Sequence, residues 1–60
     1  MNILLVDDDR FIIKALQETI HWEALGIEQV YTASSLSQAH AIIQSHLIAL
    51  MISDIEMPQG

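Results

Sequence analysis

The apolar residues of this chain fall into two unbroken runs, one near each end, with helical and alternating spacings between them. The first run, Asn2-Ile3-Leu4-Leu5-Val6, is continuous after one polar residue and stops on Asp7-Asp8-Asp9. Such a run reads as a parallel strand covered by helices on both faces, not as an alternating edge. Asp9 is placed to cap a helix from Arg10 to about Ile20, in which Ile12, Ala15, Leu16 and Ile20 make one stripe and Phe11 and Ile13 widen it. That width predicts a helix pressed firmly on a sheet, with Lys14, Gln17, Glu18 and His21 facing water. Trp22 is expected to cover the bottom of the core, and Gly26 to take positive φ and stop the helical stretch.

Glu28 to Ala33 alternates partly and holds Val30, Tyr31 and Thr32, which predicts a second strand. Ser35-Leu36-Ser37-Gln38 has the form of a capping box, opening a helix whose buried face is Leu36, Ala39, Ile42 and Ile43 and which fades near Ser45-His46. The last apolar run, Leu47 to Ile52, is too short for a membrane span and reads as a fully buried third strand that ends on Ser53-Asp54. Strand, helix, strand, helix, strand is an α/β pattern, with right-handed crossovers and a parallel sheet. The acids that end the first and third strands can cooperate only if those strands are neighbours, so the expected order is 2-1-3. That order sends the two helices to opposite faces and makes the gap between the first and third strands a topological switch point, where ligands bind in such folds.

Composition sharpens this picture. Sixty residues bury only about 60% of the surface their unfolded form exposes, yet the chain is 52% hydrophobic and has no cysteine to staple it. This is interior composition, and a remainder of the domain is expected. Two Lys+Arg against eight Asp+Glu give a net charge of −6, which argues against direct nucleic-acid contact or binding to an anionic membrane. No basic segment precedes the first apolar run, so no signal peptide is expected and the cytoplasm is the default location.

The acids suit a divalent cation. Carboxylates gathered at one rim repel one another unless a cation joins them. Mg²⁺ prefers oxygen ligands and is usually held by one or two carboxylates plus a phosphate. Asp54 could then attack phosphorus to give an acyl phosphate. Asp9 is read as a cap only. His21, His40 and His46 have no i, i+4 pairing that would place two imidazoles on one helix face, and are read as solvated side chains. Met51 and Met57 are read as packing residues.

Ile3-Leu4-Leu5-Val6-Asp7-Asp8-Asp9 resembles the first strand and acidic pair of the receiver domains of two-component response regulators. Ser53-Asp54-Ile55-Glu56-Met57-Pro58-Gln59-Gly60 resembles their phosphorylation-site loop. The resemblance implies a flavodoxin-like, CheY-like doubly wound fold of order 2-1-3-4-5, of which residues 1–60 would be the amino-terminal part, truncated before the fourth and fifth strands. It implies a regulatory phospho-acceptor, not an enzyme, with Asp54 taking a phosphoryl group from a sensor histidine kinase. Asp8 and Asp54 would bind Mg²⁺ directly, Asp7 directly or through water, and Glu56 through its main-chain carbonyl. Pro58 would shape the loop, and the Glu56 side chain stands where members tune the lifetime of the acyl phosphate. Trp22-Glu23-Ala24-Leu25-Gly26 is similar to receivers that carry an AraC-type DNA-binding domain, which implies a transcriptional output. Ile48-Ala49 departs from the Pro-Asp that many members have there. A hydroxyl residue after the fourth strand, an aromatic on the fifth and a Lys after it have no counterparts in these sixty residues.

Two other readings remain open at this stage. Asp7-Asp8-Asp9 contains the Asp-x-Asp of Mg²⁺-dependent phosphohydrolases of the haloacid dehalogenase type, in which Asp7 would be the nucleophile, though the usual Gly-Thr does not follow. Alternatively the chain is an inactive half-domain that associates through the unpaired outer edge of its third strand.

Overall fold

The computed structural model describes residues 1–53. Five elements follow in order: β1 (Asn2–Val6), α1 (Arg10–Thr19), β2 (Gln29–Ala33), α2 (Leu36–Ser45) and β3 (Leu50–Ser53). The strands form one parallel sheet of order β2-β1-β3, as the placement of the acids requires. This is the truncated, doubly wound α/β arrangement. β1 is the central strand, and Ile3, Leu4, Leu5 and Val6 are each 1% exposed or less. Because successive side chains point to opposite faces, β1 feeds two separate cores. Leu4 and Val6 pack with Ala33 and Ala39 on the α2 face, joined by half-buried Tyr31, Ile42 and Ile48. Ile3 and Leu5 pack with Ile27 on the α1 face, joined by Ile13, Leu16, Trp22 and Val30.

The caps follow from local chemistry. Asp9 Oδ1 accepts from the Phe11 N–H at 2.9 Å, satisfying a donor that the first turn of α1 leaves free. A short 3-10 turn, Glu23–Leu25, is closed by Gly26 at φ 80°, a left-handed conformation that costs glycine nothing. At α2 the Ser35 Oγ accepts from the Gln38 N–H at 3.2 Å. The return bond is displaced by one residue from the expected box: Gln38 Oε1 accepts from the Ser34 N–H at 2.9 Å and from the Ser34 hydroxyl at 3.0 Å.

Three expectations are corrected. The residues of α1 that meet the core are Ile13 and Leu16, with Ile20 half-buried at the C-cap; Ile12 and Ala15 are exposed, and Phe11 is 84% exposed. Phe11, Ile12 and Ile13 are consecutive, so spacing alone leaves the angular position of the stripe open. No residue of α1 is fully buried, so the helix rests on the sheet more lightly than its width implied. On α2, Ala39 and Ile42 meet the core while Leu36 and Ile43 lie at its exposed margin. Finally, β3 begins at Leu50, not Leu47, and is not fully buried. Leu47 is 89% exposed, and Leu50, Met51 and Ile52 are 49%, 45% and 41% exposed. The reason is position: among the described residues only β1 pairs with β3, which leaves the outer edge open.

Candidate functional site

The site is built from the carboxyl ends of the strands. Val6 is level with Ala33 on one side and with Ser53 on the other, so all three strands end together. Asp7 extends the ladder by one rung, its N–H donating to the Ala33 carbonyl at 3.1 Å. Asp7 is 5% exposed, and its Oδ1 accepts from the Asp9 N–H at 2.9 Å. The acidic run therefore divides into three tasks. Asp7 is a buried carboxylate fixed by backbone on both sides, Asp8 is exposed beside it, and Asp9 caps α1.

Two cavities meet at Asp7. One, of about 280 Å³, lies between β1, β3 and α1 and is walled by Leu5, Asp7, Ile13, Leu16, Ile52 and Ser53. The other, of about 570 Å³, opens toward the end of β2 and takes in Arg10, Lys14, Thr32 and Ser34. The smaller is the one at the switch point. Ser53 forms its rim, and the next residue in the chain is Asp54. Asp54, Glu56, Met57 and Pro58 lie outside the described residues, so the structure brings together only the Asp7 and Asp8 part of the expected ligand set. Among the described residues no three His, Cys, Asp or Glu side chains gather as a metal site. The donors present, two adjacent carboxylates with one buried, are all oxygen and fit a hard cation in kind.

Residues 3–60 match the response regulator receiver domain. The chain belongs to this family. Among its relatives are an uncharacterized response regulatory protein of Staphylococcus epidermidis and the transcriptional regulatory protein HptR of Staphylococcus aureus. Each is 35% identical over 58 residues, which is 97% of this chain but 23% of the relative. The chain thus spans under a quarter of the length of the curated relatives it matches. No solved structure matches it. The 2-1-3 order is consistent with the amino-terminal part of this α/β fold.

Sequence reasoning missed three features of this receiver. The Met1 amino group donates to Glu28 Oε1 at 2.8 Å, and the pairing with this ammonium holds the Glu28 carboxyl below its ordinary range. Tyr31, which packs against the core on the α2 face, stacks with His46 at 4.4 Å between ring centroids. The Asn2 side chain reaches Leu47, 45 residues away. The single polar residue opening an otherwise apolar strand was the only signal for the last of these.

Proposed function

We propose that this receiver is the phospho-acceptor of a two-component system, with Asp54 taking a phosphoryl group from a sensor histidine kinase. The observation that carries the reading is the register Val6↔Ser53, which ends β1 and β3 level beside the buried Asp7 carboxylate. A carboxylate oxygen of Asp54 attacks phosphorus in line; the O–P bond forms as the N–P bond of the kinase phosphohistidine breaks, and the imidazole leaves with that electron pair. Asp7, Asp8, Asp54 and the Glu56 main-chain carbonyl would hold Mg²⁺, which when bound offsets charge on the phosphoryl oxygens. Asp7 is held for this role by the Asp9 N–H, and Asp9 is held in turn by its duty as cap. The reaction belongs to the regulatory pair, and the receiver acts as substrate and switch.

By the same reading, residues 1–60 are the amino-terminal part of a receiver in a longer cytoplasmic regulator whose output is a DNA-binding, transcriptional domain. These sixty residues themselves make no nucleic-acid or membrane contact; no helix among the described residues is long and apolar enough to cross a membrane. Taken alone, the chain would pair with a second copy through the open edge of β3. Sedimentation over a range of concentrations tests this, and a concentration-independent monomer would refute it.

Phosphoryl labelling by the kinase, followed by reduction of the acyl phosphate and mass mapping, tests the main reading. The label is expected on Asp54 and is lost in Asp54→Asn. A label on Asp7 would transfer the chain to the phosphohydrolase reading. The burial of Asp7 and its hydrogen bond to Asp9 speak against Asp7 as the nucleophile.

A further inference from the structure

β3 presents a problem of register. It has four residues, one neighbour among the described residues, and side chains 41–49% exposed on both faces up to Ile52. Register is strongly specified only where a face is buried, and a slip of one residue exchanges the faces of the strand. Packing therefore fixes β3 weakly, although the proposed site depends on where β3 ends. The structure shows what grips it instead. Asn2 Nδ2 donates to the Leu47 carbonyl at 3.0 Å, and the Asn2 carbonyl accepts from the Ala49 N–H at 3.0 Å. Among the described residues the other hydrogen bonds between a side chain and backbone span four positions or fewer, apart from that of the Met1 amino group to Glu28, which ties the start of the chain to the entry of β2. The Asn2 side chain is the one that reaches the segment leading into β3. Asn2 also pairs with Gln29 in the β1–β2 ladder, so its own position is set independently of β3.

We propose that Asn2 is a positioning residue for the phospho-acceptor site: its side-chain amide sets the register of β3 and, through it, the level at which Ser53 meets the rim beside Asp7. The inference rests on the phospho-acceptor reading for its functional half only. A grip at the amino end of β3 acts on the carboxyl end because a four-residue strand is too short to absorb a slip along its length. Leucine or lysine at position 2 would leave the strand pairing of β1 intact and lose the grip, since neither can hold the Leu47 carbonyl with a planar amide.

Asn2→Asp keeps the size but removes the donor, Asn2→Ala removes it without adding charge, and Asn2→Gln keeps an amide one methylene longer. In the first two, exchange of the Ala49 and β3 amides is expected to accelerate roughly tenfold while the β2 amides are unchanged. In Asn2→Gln the β3 amides should recover part of their protection. The Mg²⁺ concentration that half-shifts the Asp7 and Asp8 amides should rise in the donor-less variants and not in Asn2→Gln. Equal acceleration in β2 and β3, or none in β3, would overturn the inference. If wild-type Asp7 and Asp8 do not respond to Mg²⁺ at all, the phospho-acceptor reading fails, and the exchange measurements still decide whether Asn2 sets the register.

Discussion

Replacing Asp7 by Asn separates what this residue costs the fold from what it gives the site. Asn is nearly isosteric and keeps an oxygen to accept the Asp9 N–H, so the 2.9 Å bond and the start of α1 survive. What disappears is a charge at a position only 5% exposed, with no ion pair to it among the described residues. Removing such a charge should stabilise the cation-free chain by about 1 kcal/mol, within the range commonly gained when a site residue is relieved of its function. For a domain of this size that is roughly 4–8 °C in Tm. Mg²⁺ reverses the order. At about ten times its Kd the ion stabilises the wild type by about 1.4 kcal/mol through mass action, and the variant by much less. Thermal unfolding followed by Trp22 fluorescence, with and without Mg²⁺, reads both effects. If Asp7→Asn is less stable than wild type without Mg²⁺, or gains as much from it, then Asp7 is a structural residue and not a ligand.

The two cores should respond differently to the same truncation. Leu4→Ala leaves a hole on the α2 face and is expected to cost about 4 kcal/mol, whereas Leu5 borders the cavity beneath α1, so Leu5→Ala should cost only its transfer free energy of about 2.5 kcal/mol. Urea unfolding measures both, and equal costs would contradict the lighter seating of α1. Nothing lies within 4 Å of a Cβ built on Gly26, so Gly26→Ala should cost only the left-handed strain, about 1 kcal/mol, and Gly26→Asn less; a larger loss by the same assay would mean hidden crowding. The depressed Glu28 carboxyl contributes stability that is present above its unfolded pKa and is lost as pH falls through the lower, folded one. An NMR titration should show this value rising toward the ordinary carboxylate range when the Met1 amine is acetylated, and no movement would show that the ammonium is not its cause.

The sequence disclosed most where physical constraints reinforced one another. The unbroken run of β1, Asp9 before a helical pattern and the demand that two acid-ended strands be neighbours each pointed to one arrangement, and the sheet has it. Phe11 failed because three consecutive apolar residues define a helix without defining its rotation. Leu47 failed because hydrophobicity marks the run but not the rung at which pairing begins; that rung is set by Asn2, whose role is visible only once Leu47 is known to lie beside it. At the site, Asp7 and Asp9 were legible by type and spacing. The capping task of Asp9 was legible too, whereas the burial of Asp7 and the bond its carboxylate accepts from the Asp9 N–H are tertiary facts that no pattern encodes.

A central β1 also governs the order in which this molecule assembles. Among the described residues every rung of the sheet joins β1 to a residue 27 positions later in β2 or 47 positions later in β3, with no hairpin between them. Loop closure to β3 is about 0.5 kcal/mol costlier than closure to β2. β3 must also wait for α2 to be made. During synthesis at roughly 5–20 residues per second, β1 leaves the ribosome seconds before either partner, as a bare apolar segment of the kind that chaperones protect. Pulse-labelled refolding should show β1 and β2 amides protected before Ala49 and β3, and the reverse order would refute this account. Within residues 1–53 the rim, which needs the ends of both β1 and β3, thus forms only after β1 and β2 have paired, so the site is assembled on a sheet that already exists.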